Sequence, residues 1–375
     1  MNVLVLATKY FGLGGAEAYT RMFAEAAAAN GNHVDELSLL DGEAVDRTHP
    51  GRYLGDQGRR STPLSQARFV AQAVRHARSR DLVVCSHVAL GPIGHTLLRL
   101  YRVPYVVIGY GIDVWGPLGP RRQTALRRAA RVVALSRFTA RQIESVHGVA
   151  ASRLAVVHPA VDPVLLRAAS AAVPRRPHDG DVTLLSVARL SAQERYKGVD
   201  TVIAALPSIL AEPGGVRYVV AGDGDDLPRL RALAEERGVA EAVDFVGAVQ
   251  RAGLPALYGA GDIFVMPSVA ERRDGGWTGE GFGIVYIEAS AFELPVVTGN
   301  GGGAPEAVQD GVTGYVVDGR DAGAVAATLV RLIKDPVLRA RMGAAGRAWV
   351  DEGFTFDRFV TDVDGVLDAA VRDAR

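Results

Sequence analysis

Two cations and two carboxylates, set at particular spacings, are the most chemically telling residues of this sequence. Arg189 ends the run Ser186-Val187-Ala188-Arg189-Leu190, and Lys197 follows within Gln193-Glu194-Arg195-Tyr196-Lys197-Gly198. An arginine offers a planar fork and a lysine a point charge, so the pair near one strand end suits a diphosphate. Only Lys9, Lys197 and Lys334 are lysines among 42 cationic residues, which singles out Lys197; Lys334 reads as chance. Farther on runs Glu280-Gly281-Phe282-Gly283-Ile284-Val285-Tyr286-Ile287-Glu288. Gly281 and Gly283 mark a tight loop opening a helix, whose free N–H groups bind anions or hydroxyls. Glu280 falls in the loop and Glu288 about one turn inside the helix, and both carboxylates suit sugar hydroxyls.

Three other glycine loops carry weaker signals. Gly12-Leu13-Gly14-Gly15-Ala16-Glu17 lies between a strand and a helix, where backbone N–H groups approach a phosphate or sugar. A dinucleotide fingerprint wants Gly or Ala where Glu17 stands, which argues against a nicotinamide dehydrogenase. Gly301-Gly302-Gly303-Ala304-Pro305-Glu306 leads into another helix, with Glu306 in its first turn. Gly222-Asp223-Gly224-Asp225 reads as a plain turn after a strand.

These loops need a frame, and the apolar periodicity supplies one. Short runs rich in Val, Leu and Ile occur at Val3–Thr8, Val34–Leu40, Leu82–His87, Tyr105–Tyr110, Val132–Ser136 and Leu154–His158. They recur at Val182–Val187, Tyr218–Ala221, Val243–Val246, Ile263–Pro267, Val296–Thr298 and Tyr315–Val317, with helical spacing between them. The pattern predicts an α/β chain with two doubly wound, Rossmann-like parallel-sheet domains facing each other across a cleft. Ligands then sit at the carboxyl ends of the strands. The stretch Ala168–Asp181, rich in Ala, Pro and Arg, reads as a linker. The expected domains are 1–170, which binds the acceptor, and 181–356, which binds the donor. The helical stretch 357–375 is expected to pack back on the first domain.

Composition sets the class. Of 375 residues, 48% are hydrophobic and 22% charged, an ordinary globular balance. No run of about 18 apolar residues occurs, so no membrane span is predicted. The start of the chain reads without a signal peptide, and the one cysteine, Cys85, excludes an internal disulfide. A cytoplasmic location is expected. The net charge of zero hides a division: residues 1–170 hold 21 Lys+Arg and 12 Asp+Glu (+9), residues 171–375 hold 21 and 30 (−9). Different partners for the two halves follow. Arg121, Arg122, Arg127, Arg128 and Arg131 cluster at partly helical spacing. They suggest peripheral contact with an anionic membrane face or an anionic acceptor; no nucleic-acid partner is expected.

Assembled, the motifs resemble the retaining glycosyltransferases of family 4, the group 1 glycosyl transferases, which have the GT-B fold. The resemblance rests on Arg189…Lys197-Gly198, Gly222-Asp223-Gly224, Glu280-(seven residues)-Glu288 and Gly302…Pro305-Glu306. It is strongest from Leu184 to Asp318, and Gly14-Gly15-Ala16-Glu17, His87, Ser136 and Pro159–Asp162 extend it through the first half. It implies that Arg189 and Lys197 hold the diphosphate of a nucleotide-sugar donor. Glu280 would contact the sugar hydroxyls, helped by the backbone of Gly281, Phe282 and Gly283, and Glu288 would hold the ribose. Gly14 and Gly15 would approach the donor phosphates or the acceptor, and His87 would line the reaction cleft. Glu280, Arg189, Lys197 and His87 form the implied catalytic set, with Glu17, Tyr110 and Asp113 on the acceptor side. No metal or cofactor is implied, because cations and helix N-termini stabilise the leaving diphosphate.

The chain departs from the family pattern at three places. Members often carry His-Gly-x-(Asp/Glu) where this chain has Tyr110-Gly111-Ile112-Asp113, and a phenol does not titrate near neutrality as imidazole does. Pro159-Ala160-Val161-Asp162 replaces Pro-Asn-Gly-Val-Asp. The insertion Arg272–Trp277 reads as a mobile loop over donor or acceptor. With Glu280 and Glu288 committed to the donor by the resemblance, Asp113, beside Tyr110 in place of the usual His, is the only other acidic residue placed near the first-domain cleft, and a front-face route with retention is expected. Two alternatives share the architecture. A sugar-nucleotide 2-epimerase would need an acid/base pair, and none is evident; a sugar-nucleotide sensor would keep the cations without an acceptor site. The Arg- and Ala-rich usage suits a high-GC bacterium and work on an envelope glycan, glycolipid or secondary metabolite.

Overall fold

The computed structural model describes residues 1–11, 14–41, 52–53, 61–172, 181–273 and 276–374. Contacts divide the chain into two units, Met1–Pro159 with Phe356–Arg375, and Ala160–Thr355.

The first unit is built on β1 (Asn2–Ala7), β2 (His33–Ser38), β3 (Arg52–Tyr53), β4 (Leu82–Cys85), β5 (Tyr105–Gly109), β6 (Arg131–Ala134) and β7 (Leu154–Val156). Its parallel sheet runs β3-β2-β1-β4-β5-β6-β7. The second unit contains β8 (Val182–Val187), β9 (Val216–Ala221), β10 (Val243–Gly247), β11 (Ile263–Met266), the hairpin β12 (Glu271–Arg273) and β13 (Gly276–Thr278), β14 (Val296–Gly299) and β15 (Gly314–Val317). Its parallel sheet runs β10-β9-β8-β11-β14-β15. All twelve apolar runs are therefore strands. The central ones are buried along their whole length, as strands covered by helices on both faces must be. β3 escaped the reading because two residues carry no periodicity.

Strand order reverses between β1 and β4 in the first sheet and between β8 and β11 in the second. At such a switch point neighbouring loops diverge to opposite faces and leave a crevice at the carboxyl ends. The Gly14 loop follows β1, His87 follows β4 and Arg189 follows β8, so the chemistry-bearing loops stand at the reversals.

Several boundaries differ from expectation. The first unit ends at Pro159 rather than at 170. Asp162 caps a helix at Pro163–Ala171, accepting from the N–H of Val164 at 2.6 Å, and this helix packs on Leu254–Ala260 and Ile284–Ala291 of the second unit. The expected linker thus begins inside a helix, and its remainder, 173–180, lies outside the described residues. The insertion is not an open loop: β12 and β13 pair antiparallel, Glu271 opposite Thr278, with 274–275 outside the described residues. Ala304–Ala307, expected to open a helix, is a single 3-10 turn.

The last helix, Phe356–Arg372, packs on Gly15–Ala29 and so returns to the first unit. Phe359 is fully buried there, edge-on to Tyr19 at 5.4 Å and to Phe23 at 6.4 Å between ring centroids. Removing a buried phenyl costs the transfer free energy plus a cavity. Phe359→Ala is expected to destabilise the first unit by about 3–5 kcal/mol, read as a lower urea midpoint. A loss below about 1 kcal/mol would show that the helix adds little to that core.

Candidate functional site

The loop after β8 is clamped by the loop after β9. Ala188 N–H donates to Ala221 O at 2.9 Å, Leu190 N–H to Asp223 O at 3.0 Å, and Asp226 N–H to Leu190 O at 2.9 Å. Gly222 makes the clamp possible: at φ +153° a Cβ would stand 1.8 Å from Ala188 O. The Gly222–Asp225 segment, expected to be a plain turn, therefore positions Arg189.

Lys197 ends the 3-10 stretch Ala192–Lys197, and Gly198 then opens the helix Val199–Leu210. Arg195, in the same stretch, is fixed to the buried Asp226 by its Nε at 2.9 Å, and Arg229 grips the same carboxylate at 2.8 and 2.6 Å. Burial pushes the Asp226 carboxyl up, but Arg229 and Arg195 overcome this and hold it below its ordinary range. Arg229 also reaches Asp200 at 3.1 Å. A shallow recess opens here, lined by Arg189, Glu194, Arg195, Lys197, Asp226 and Arg229 among others. Arg189 is 65% exposed and Lys197 17%. Glu194, which sequence reasoning did not single out, lies 3.0 Å from Arg189 Nη2 and 3.2 Å from Lys197 Nζ. The one signal for it was its place three residues before Lys197.

Glu280 Oε2 lies 3.8 Å from Lys197 Nζ, so the structure joins the two motifs. The Glu280 carbonyl accepts from Gly303 N–H at 2.8 Å, which ties the loop to the third glycine of Gly301–Gly303. Phe282 is buried against Phe354, ring centroids 5.8 Å apart, and anchors the loop from beneath. Gly283 caps the helix Ile284–Ala291. Tyr286 pins that helix to the end of β11, donating to Met266 O at 2.9 Å. Glu288 lies on this helix and accepts from buried Tyr258 OH at 2.8 Å. Burial pushes the Glu288 carboxyl up, and the Tyr258 hydrogen bond and the Arg251 charge oppose that. Tyr258 comes from Leu254–Ala260, thirty residues away; no local pattern marks it.

In the first unit, Gly14 caps Gly15–Ala29, and Glu17 curls back so that its Oε2 lies 2.3 Å from where a Gly14 Cβ would stand. Gly12 and Leu13 lie outside the described residues. His87 Nδ1 accepts from Ala89 N–H at 3.0 Å, so a neutral ring carries its proton on Nε2. That nitrogen lies 3.8 Å from Asp113 Oδ2. Asp113 Oδ1 accepts from the N–H groups of Tyr110 and Gly111 at 2.9 and 2.8 Å, whereas buried Oδ2 has no hydrogen-bond partner. Tyr110 stacks on His87 at 6.5 Å, and its hydroxyl meets Thr20 Oγ1 at 2.7 Å. Burial pushes this phenol far above its ordinary value, so it acts here as a hydrogen-bonding group rather than a titrating one.

The arginine cluster is only partly a free face. Arg131 pairs with Asp373 at 2.6 Å and Arg127 donates to His147 O, while Arg121, Arg122 and Arg128 stand exposed on Pro120–Arg128. Lys334 pairs with Glu212 on the surface. Among the described residues no group of three or more metal-ligating side chains gathers, and no helix is long and apolar enough to cross a membrane.

Two doubly wound sheets with cations, glycine loops and spaced glutamates at their switch points define the class of the group 1 glycosyltransferases. Comparison with known proteins agrees. The family model described as Glycosyl transferases group 1 matches residues 172–349, and that for Glycosyltransferase Family 4 matches 13–165. A GDP-mannose-dependent alpha-(1-6)-phosphatidylinositol monomannoside mannosyltransferase of Mycobacterium tuberculosis is 40% identical over 256 residues, 66% of this chain and 65% of that protein. Its namesake in Mycolicibacterium smegmatis is 38% identical, covering 69% of this chain and 68% of that one. The structure of HepE from Anabaena in complex with UDP superposes with a TM-score of 0.79 at 23% identity, over 98% of this chain and all of that one. A sucrose-phosphate synthase from Thermosynechococcus elongatus gives 0.76 at 21% identity, covering 97% and 98%. The chain belongs to the group 1, family 4 glycosyltransferases and has their GT-B fold.

Asp113 yields a stability test. Burial, opposed by His87 and the backbone N–H groups of Gly111 and Tyr110, raises its carboxyl above the ordinary range. A raised acid binds its proton more tightly when folded, so stability falls as pH rises from the ordinary carboxyl range through the raised value. An amide costs less to bury than an ionised carboxylate. Asp113→Asn is expected to raise the thermal midpoint at neutral pH, by the equivalent of about 1 kcal/mol, with the gain shrinking towards acid pH. A lowered midpoint at neutral pH would mean that the His87–Asp113 pair stabilises the fold.

Proposed function

We propose that this protein transfers a sugar from a nucleoside-diphosphate donor to a hydroxyl acceptor, with retention of anomeric configuration and without a metal. The observation that carries the reading is the convergence of Arg189, Lys197 and Glu280 at one strand end beside the glycine-capped helix that bears Glu288. Arg189 and Lys197 hold the diphosphate, and their charge stabilises it as it leaves. Glu280 accepts from sugar hydroxyls, with the loop N–H groups of Gly281–Gly283 beside it. Glu288 has one oxygen fixed by Tyr258 and offers the other to the ribose. On the first unit, Gly14 and Gly15 approach the donor phosphates or the acceptor, His87 lines the reaction cleft, and Glu17, Tyr110 and Asp113 serve the acceptor side.

With both glutamates engaged in binding, the acceptor hydroxyl attacks on the face the diphosphate leaves. The new C–O bond forms as the sugar–phosphate C–O bond breaks, and the hydroxyl proton passes to a departing phosphate oxygen. The relatives' names support GDP-mannose as the donor and a phosphatidylinositol mannoside as the acceptor. The exposed Arg121, Arg122 and Arg128 suit an anionic lipid surface carrying such an acceptor.

Arg189→Ala and Lys197→Ala are each expected to lower kcat/KM by on the order of 10²–10³, as when one such donor is removed elsewhere. Near-normal rates in both would refute the assignment. Activity is expected to survive excess EDTA, and loss restored by magnesium or manganese would remove the metal-free part. Proton NMR of the first-formed product is expected to show an alpha linkage from an alpha donor. A beta linkage would overturn the mechanism, and a trapped glycosyl-enzyme ester would overturn the front-face route.

A further inference from the structure

Both cations assigned to the diphosphate already share one anion. Glu194 places Oε1 3.0 Å from Arg189 Nη2 and Oε2 3.2 Å from Lys197 Nζ, and Glu280 stands 3.8 Å from the same Lys197 nitrogen. Two positive and two negative formal charges therefore meet, and the cluster offers no net attraction to a further anion while Glu194 stays between the cations. A diphosphate seated on Arg189 and Lys197 would be repelled by a carboxylate bridging them. Bound donor and bridging Glu194 exclude each other.

The local backbone suits a side chain that moves while its neighbours stay. Arg195 is fixed to Asp226, and Arg229 ties Asp226 to Asp200. Glu194 itself has non-helical torsions (φ −113°, ψ 23°) within the 3-10 stretch. Arg195 and Arg229, which line the same shallow recess as Glu194, stay committed to Asp226 and Asp200.

We propose that Glu194 is a counter-ion of the donor site that the donor diphosphate displaces, an inference that rests on the donor site described above. A diphosphate replaces both ion pairs of Glu194 at once and gains the glycine-loop N–H groups besides. After transfer, Glu194 returns to the cations and speeds release of the nucleoside diphosphate.

The test is calorimetric titration of the full chain with GDP, UDP, inorganic pyrophosphate and inorganic phosphate at fixed salt. Glu194→Gln and Glu194→Ala are each expected to bind pyrophosphate and the preferred nucleoside diphosphate about tenfold or more tightly than wild type. Both variants are also expected to bind inorganic phosphate more tightly than wild type, because the same bridging anion is gone. Thermal melts of the variants confirm that they are folded. Unchanged or weaker diphosphate binding in both folded variants overturns the proposal and makes Glu194 a positioning residue for the cations. Arg189→Ala/Lys197→Ala separates the two readings: wild-type nucleotide affinity in that double variant means the donor site itself is misplaced, whatever Glu194 does.

Discussion

A parallel sheet delivers the carboxyl ends of all its strands to one rim, and everything chemical in this protein depends on that constraint. Backbone pairing occupies the strand edges and helices cover both faces, so the strands have no free surface for chemistry. Only the loops at the rim remain, and the reversal of strand order opens a crevice among them. β8 and β11 flank such a reversal in the second unit, and β1 and β4 do so in the first. Arg189 and His87 each follow one of those strands.

Charge then organises the rim. Arg189, Glu194, Lys197 and Glu280 form a chain of alternating sign across two loops that are far apart in sequence. A second set, Arg195, Asp226, Arg229 and Asp200, lies beside it and uses its charges differently. There the carboxylate is buried and gripped by two guanidiniums, an arrangement that is costly to break from either side. The first set is joined by single ion-pair contacts, with Arg189 exposed and Glu194, Lys197 and Glu280 half-buried, whereas the second centres on the one buried carboxylate, Asp226, gripped twice. The same division appears at Glu288, where Tyr258 fixes one oxygen, and at Asp113, where two backbone N–H groups fix one oxygen and leave the other turned to His87.

The departure from the family at Tyr110 has a local physical account. Tyr110 is half-buried, bonded to Thr20 and stacked on His87. The phenol fills the space, and the imidazole at this rim comes from the loop after β4 instead of the loop after β5. His87 and Asp113 thus stand within reach of one another across adjacent strands, an arrangement visible only once β4 and β5 pair.

Much of this was legible in the residues alone. Continuous apolar runs announce buried parallel strands, so all twelve runs were readable, as was the place of the loops at their carboxyl ends. Glycine pairs before helical spacing marked the loops with free N–H groups, and the rarity of lysine pointed to Lys197. What the sequence could not specify were relations between segments. Glu194 meets Arg189 because a 3-10 stretch turns it back, and Tyr258 meets Glu288 across thirty residues without any shared period. Gly222 looked like a turn until the Ala188 carbonyl was found against it. The helix Pro163–Ala171 went to the second unit because its apolar face fits there, although its sequence is continuous with the first. Local propensity and periodicity are written residue by residue, so the sequence alone determined the elements and their rims. Which side chains meet depends on distances between elements, and those exist only after the sheets and helices have packed.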